Sequence, residues 1–255
     1  LKGALLRRVL YDNPAERIMT DIDILVRRRD FRYAGKILEK LGMRQDRNAE
    51  IVNHPRAYSH SHYYKNGFPL VELHQAAAPM AREKDFENLV FSGRHTAYPT
   101  DLFPQKCVNL PSPEVQLLIL ALHFREHHLL VEKHQIEDIG RLCRRFEIDS
   151  SELAEKAEFF SCSFALWLLL QASGEPSALE ISNKIATPIL RSLAHPLLFD
   201  SVPGGYHLKH SNTAPRSVTL ALRGLIHSVY SRDSLTESVV AHLRMLLFML
   251  RNRIN

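Results

Sequence analysis

The sequence predicts an α/β (α+β) chain: a small mixed-sheet core over residues 1–110 followed by an α-helical subdomain over residues 111–255. Three observations carry this expectation. Alternating and β-branched runs are concentrated before about residue 110, an amphipathic helix follows the first of them, and beyond Leu110-Pro-Ser-Pro113 apolar residues recur at i, i+3, i+4.

Taken in order, residues 1–11 predict a helix, with Leu5, Leu6, Val9 and Leu10 at helical spacing and Asn13-Pro14 ending it. Residues 20–26 predict a strand. Residues 30–41 predict a helix with Phe31, Ala34, Ile37, Leu38 and Leu41 on one side and Gly42 as its stop. Tyr58 to Tyr64 alternates, Asn66-Gly67 is a strong hairpin signal, and Phe68 to His74 continues as a strand. Ser112 is placed as an N-cap with Pro113 as the first helical residue. Helical spacing then runs through 113–146, 151–172, 176–194, 215–231 and 235–253, with breaks at Gly174-Glu-Pro176 and Pro203-Gly-Gly205.

With 255 residues, 45% hydrophobic and 24% charged, the chain is expected to fold around a sizeable core, and neither a disordered nor a fibrous class fits. The apolar run Met245 to Leu250 is far shorter than the roughly 20 residues that span a bilayer, so no membrane partner is expected. Cys107, Cys143 and Cys162 are odd in number and widely spaced, which suits a reducing, cytoplasmic compartment rather than a disulfide framework. The chain opens on Leu1 with no secretory leader pattern, and the natural start is expected to lie upstream. Its net charge of +5 permits phosphate-bearing partners, but Lys and Arg are dispersed, so nucleic acid is not expected as a partner.

The run Arg17-Ile-Met-Thr-Asp-Ile-Asp-Ile-Leu-Val26 places two carboxylates inside an apolar stretch. On a strand, Asp21 and Asp23 project from one face, roughly 6.5–7 Å apart along the backbone. Such a pair suits Mg²⁺, a hard cation that shares its shell with substrate phosphates, and points to phosphoryl or nucleotidyl transfer. In Pro69-Leu-Val-Glu-Leu-His74, Glu72 and His74 likewise share a face. A neighbouring strand would bring Glu72 beside the pair, where three carboxylates repel unless a cation is present.

These segments resemble the nucleotidyltransferase superfamily of the DNA polymerase β type, and more closely its bacterial family of uncharacterised nucleotidyltransferase-like proteins. Leu1-Lys-Gly-Ala4 is similar to that family's L-K-G-A start, Arg17 to Val26 to its R-x-M-S-D-I-D-L-L-V block, and Val71-Glu-Leu-His74 to its V-E-L-H strand. Leu120-Ala-Leu-His123, His127 and Asp138-Ile139 are a weaker match to its helical half. The resemblance implies that Asp21, Asp23 and Glu72 are catalytic and bind metal, two Mg²⁺ ions being expected. It also implies that Lys2, Gly3, Ala4, Arg17 and His74 serve the nucleotide, with Gly3 near the phosphates and Lys2 adding a point charge. A nucleoside triphosphate is the implied co-substrate, and an unidentified hydroxyl of a small molecule, peptide or protein the acceptor. Many active relatives carry Gly-Ser or Gly-Gly where this chain has Gly3-Ala4, which leaves a second expectation open: a weak or inactive relative that binds a nucleotide or a partner protein.

Other clusters receive blander readings. His123, His127, His134 and Asp138 would form a stripe about 60° wide on one helix, read as a polar stripe lining a cleft, with zinc as the rival. Phe159, Phe160, Phe164 and Trp167 read as core. His60 and His62 share a face with Tyr58 and Tyr64 and read as cover for the sheet, with stacking on a base as the rival.

Overall fold

The computed structural model describes residues 2–46, 60–76, 82–92, 110–126, 133–185, 199–202 and 205–208. Two compact units divide it, Leu1–His123 and Phe124–Asn255.

The first unit opens with helix α1 (Lys2–Leu10), which buries Leu5, Leu6, Val9 and Leu10. The side chain of Asn13 accepts from the Ala15 amide and starts a 3₁₀ turn at Pro14–Glu16. Strand β1 (Asp21–Leu25) follows, then helix α2 (Phe31–Lys40) and the two-residue strand β2 (Arg44–Gln45), which the sequence does not announce. Helix α2 stops as expected at Gly42, whose φ is +80°. The Met43 amide donates to the Leu38 carbonyl and the Gly42 amide to that of Glu39, a Schellman cap that only a left-handed residue completes without strain. Strands β3 (His60–Tyr64) and β4 (Leu70–His74) flank Asn66-Gly67, where Gly67 has φ +79°.

The four strands form one mixed sheet in the order β1-β4-β3-β2. Strand β1 runs parallel to β4, and the other two pairings are antiparallel. Period-two alternation gives the sheet an apolar face, where Leu38 of α2 packs with Tyr63, Val71 and Leu73, flanked by Ile22, Ile24, Phe31 and Ala34. A Cβ at Gly35 would lie 2.5 Å from Tyr63 Oη, so glycine is what lets α2 lie against β3.

Helix α3 (Glu83–Ser92) is a further addition to the sequence reading. In α4 (Pro113–Glu126) the Ser112 hydroxyl accepts from the Val115 amide at 3.2 Å, the expected cap. Residues Val115 to Leu122 of α4 are all buried, as befits a helix apolar on every side.

The second unit contains α5 (Lys133–Arg145), α6 (Ser150–Phe159), α7 (Ser163–Ser173) and α8 (Pro176–Ile185). Helix α7 is its core: Phe164 to Leu170 are all buried, Trp167 stacks on Phe164 at 6.1 Å, and Phe160 is buried nearby in sequence. Phe159 departs from the core reading and is 45% exposed.

The helical run 151–172 is two helices rather than one. Ser161 takes φ +53°, its amide donates to the Glu158 carbonyl, and the Cys162 amide donates to that of Ala157. This is again a Schellman cap, closed here by serine instead of glycine, and Arg125 Nη1 donates to the Ser161 carbonyl at 2.9 Å. The antiparallel pair β5 (Phe199–Val202) and β6 (Gly205–Leu208) also departs from a wholly helical second half. The runs 215–231 and 235–253, with Tyr58, Cys107, His127 and Met245 to Leu250, lie outside the described residues. Among the described residues no helix is long and apolar enough to cross a membrane.

Candidate active site

The second face of the sheet is built from ionisable groups. Alternation turns Asp21 and Asp23 away from Ile22 and Ile24, and the parallel register sets Asp23 opposite Glu72. Strand β3 continues the row from the other side of β4, with His62 opposite Glu72 and His60 opposite His74. Six side chains from three strands therefore share one surface.

His74 Nε2 lies 2.9 Å from Asp23 Oδ1 and 3.4 Å from Glu72 Oε2, so one imidazole bridges the two carboxylates. Lys2 Nζ approaches Asp23 Oδ1 to 3.0 Å and His123 Nδ1 to 3.2 Å. An ammonium only donates, so Nδ1 of His123 is the acceptor. His62 Nε2 is 3.2 Å from Glu72 Oε1 without the direction of a hydrogen bond.

Burial alone would push the Asp23 carboxyl up, but the His74 hydrogen bond and the Lys2 charge overcome it and hold Asp23 well below the usual carboxylate range. Glu72 is also lowered, chiefly by its hydrogen bond from His74. Burial works against charging His74, yet the bonds to Asp23 and Glu72 win and raise it. Asp21 goes the other way: burial first, then the charges of Asp23 and Glu72, raise its carboxyl. Its situation is that of an acid crowded by acids with too little positive charge at hand.

Two groups of donors converge, each with its ligand atoms within 4.8 Å of one another: Asp23, Glu72 and His74, and His60, His62 and Glu72. Asp21, at the start of β1 beside Leu70, stands outside both. Gly3 lies in α1, where an added Cβ would come within 3.4 Å of Arg17 Nη2 and 3.6 Å of Met19 Sδ. Those are ordinary van der Waals distances, and they place the guanidinium beside the start of α1. Arg17 is buried and donates to the Ile18 carbonyl at 2.7 Å, which anchors the segment ahead of β1; Ala4 is half-buried on α1. The expected histidine stripe is divided between α4, with His123, and α5, with His134 and the buried Asp138. Among the described residues neither His123 nor His134 enters a metal-competent group.

The model of a family described as uncharacterised nucleotidyltransferase matches residues 1–175 of this chain. The chain belongs to that nucleotidyltransferase family. The match takes in the whole four-stranded sheet and its ionisable face, and runs on through α7. No curated protein and no solved structure gives a significant match.

Nucleotidyl transfer is thus the general kind of reaction to which the family points. Nucleotidyltransferases generally use a nucleoside triphosphate and a divalent cation, and the donors of this face suit such an ion. Carboxylate oxygens converge with an imidazole, and in the metal-free chain Lys2 and His74 hold the Asp23 oxygen that a cation would engage. The histidines of β3, read from the sequence as cover for the sheet, join its ionisable face instead. Their signal was the His-Ser-His alternation, which acquires meaning only once β3 is paired with β4.

Proposed function

We propose that this chain transfers a nucleoside monophosphate from a nucleoside triphosphate to a hydroxyl of a small molecule, peptide or protein, in a Mg²⁺-dependent reaction. The observation that carries the reading is the parallel pairing of β1 with β4, which sets Glu72 opposite Asp23 on the face that also holds Asp21. These three carboxylates are the ligands we assign to Mg²⁺. When bound, a pair of such ions neutralises the triphosphate and lowers the pKa of the attacking hydroxyl. The chain's own residues do the rest. Lys2, Gly3, Ala4 and Arg17 are assigned to the triphosphate, with Lys2 Nζ supplying a positive charge beside the Asp23 carboxylate. His74 orients the Asp23 carboxylate by its hydrogen bond, and Glu72 takes the proton of the acceptor hydroxyl. A cytoplasmic location belongs to the same proposal.

A second reading, a weak or inactive relative that binds a nucleotide or a partner protein, is favoured by Ala4, which lacks the hydroxyl of serine. Isothermal titration with a non-hydrolysable ATP or CTP analogue, with and without Mg²⁺, separates the two when followed by a pyrophosphate-release assay over candidate acceptors. Metal-dependent binding that disappears in Asp21→Asn/Asp23→Asn, together with pyrophosphate release, supports transfer. Binding without turnover across the acceptor panel favours the second reading, and retention of full turnover in Asp23→Asn would sink the first.

A further inference from the structure

His60 and His62 have no part in the reaction just described, yet their placement is that of ligands. They project from the same face of β3, two residues apart, and the antiparallel register sets His62 directly across from Glu72. One nitrogen from each and one Glu72 oxygen all lie within 4.8 Å of one another. The rings sit side by side, with centroids 4.9 Å apart. His62 Nε2 is buried, faces Glu72 Oε1 at 3.2 Å, and makes no hydrogen bond. A buried imidazole nitrogen without a hydrogen bond, turned toward a carboxylate and flanked by a second imidazole, is costly unless something else binds there.

We propose that His60, His62 and Glu72 form a binding site for a transition-metal ion of the zinc type, on the β3 side of the acidic face and sharing Glu72 with the Asp21–Asp23 site. The donor chemistry selects the ion. Two imidazole nitrogens and one carboxylate oxygen suit Zn²⁺ or Co²⁺, whereas Mg²⁺ prefers oxygen and gives up its waters reluctantly. Three protein ligands leave a position for water or an anionic group, as in zinc sites that act on substrate. Glu72 belongs to both donor groups, so an ion held on the β3 side engages the carboxylate that also faces Asp23.

The test uses the full chain stripped with a chelator and titrated with ZnCl₂ by calorimetry and with CoCl₂ by visible absorption, in excess MgCl₂. One Zn²⁺ per chain is expected, retained in excess Mg²⁺ because the two imidazoles do not suit that ion, and accompanied by a Co²⁺ ligand-field spectrum. His60→Ala and His62→Ala should each weaken Zn²⁺ by more than ~10-fold, because loss of a direct ligand exceeds loss of an outer-shell partner. Asp23→Asn should leave Zn²⁺ bound. Imidazole NMR of the unaltered chain adds a reading that needs no variant: Zn²⁺ should shift the ring signals of His60 and His62 and leave His123 in place. Absence of Zn²⁺ binding, unchanged affinity in the histidine variants, loss of binding in Asp23→Asn alone, or shifts confined to other histidines would each overturn the site. The titration contains no nucleotide, so its failure and the failure of Mg²⁺-dependent nucleotide binding are separate results.

Discussion

His74 Nε2 and Asp23 Oδ1 are 2.9 Å apart, and the imidazole reaches that carboxylate from β4 while Lys2 reaches it from α1. Asp23 is only 7% exposed, so its charge draws on partners such as these. Replacing His74 by Phe removes one of them and leaves Lys2. The expected cost is about 1–3 kcal/mol of unfolding free energy, the penalty for a buried charged group that loses one hydrogen bond. Urea unfolding in metal-free buffer measures it, and equal midpoints for the parent and His74→Phe would show that Asp23 does not need the imidazole.

The same face sets a pH optimum. His74 is raised in the folded state, so its contribution is complete below the unfolded value of about 6.5 and is lost as the pH rises through the folded one. His60 is pushed down to about 4 by burial and by the charge of His74, so between about 6.5 and 4 the unfolded chain binds a proton that the folded chain refuses. Asp23, lowered, contributes above about 4 and loses that contribution only in stronger acid. The surrounding Lys2, Asp21, His62, Glu72 and His123 complete the field in which these groups titrate. Metal-free chain should therefore be most stable near pH 6.5. Thermal unfolding across pH 4–9 checks this: His60→Phe should flatten the acid limb and His74→Phe the alkaline limb, whereas a steady rise to pH 9 would contradict the assignment.

What could be read from the sequence was whatever depends on local periodicity. The D-I-D and V-E-L-H strands, their ionisable faces, the Ser112 cap and the Gly42 stop all follow from period two, period 3.6 or a single special residue. What could not be read depends on contacts distant in sequence. Lys2 meets His123 across 121 positions, and no local signal foretells it. His60 and His62 gain their carboxylate neighbour only through the β3–β4 register. The break of the 151–172 helical run at Ser161 goes unannounced because serine, not glycine, occupies the left-handed position there, with the buried Arg125 donating to its carbonyl.

Gly35 and Tyr63 make a clean test of the packing behind the site. Alanine in place of glycine gains about 1 kcal/mol of helix propensity in an open helix, yet here its Cβ would lie 2.5 Å from the Tyr63 hydroxyl and 3.5 Å from the ring carbon bearing it. Tyr63 is only 4% exposed, so its ring cannot swing away freely. Gly35→Ala should destabilise by about 1–3 kcal/mol, the usual range for overpacking. Adding Tyr63→Phe removes the one atom in conflict, so the double variant should recover relative to Gly35→Ala. A double-mutant cycle with no coupling would show that α2 shifts as a body instead.

Cys143 bears on the mechanism by elimination. It is buried on α5, and burial, aided by the charge of Glu175, pushes its thiol up to about 12. At pH 7.5 the thiolate fraction is then on the order of 10⁻⁴ or less, and the thiolate is the nucleophilic form. Cys162 is wholly buried where α7 begins. Iodoacetamide at pH 7.5 should therefore leave both residues unmodified in folded chain and alkylate both in denaturant, as read by peptide mass spectrometry. Turnover, once an acceptor is found, should survive that treatment, because the carboxylate face of β1 and β4 needs neither thiol. Rapid alkylation of Cys143 in the folded state, with loss of turnover, would move the chemistry from the carboxylates to the thiol.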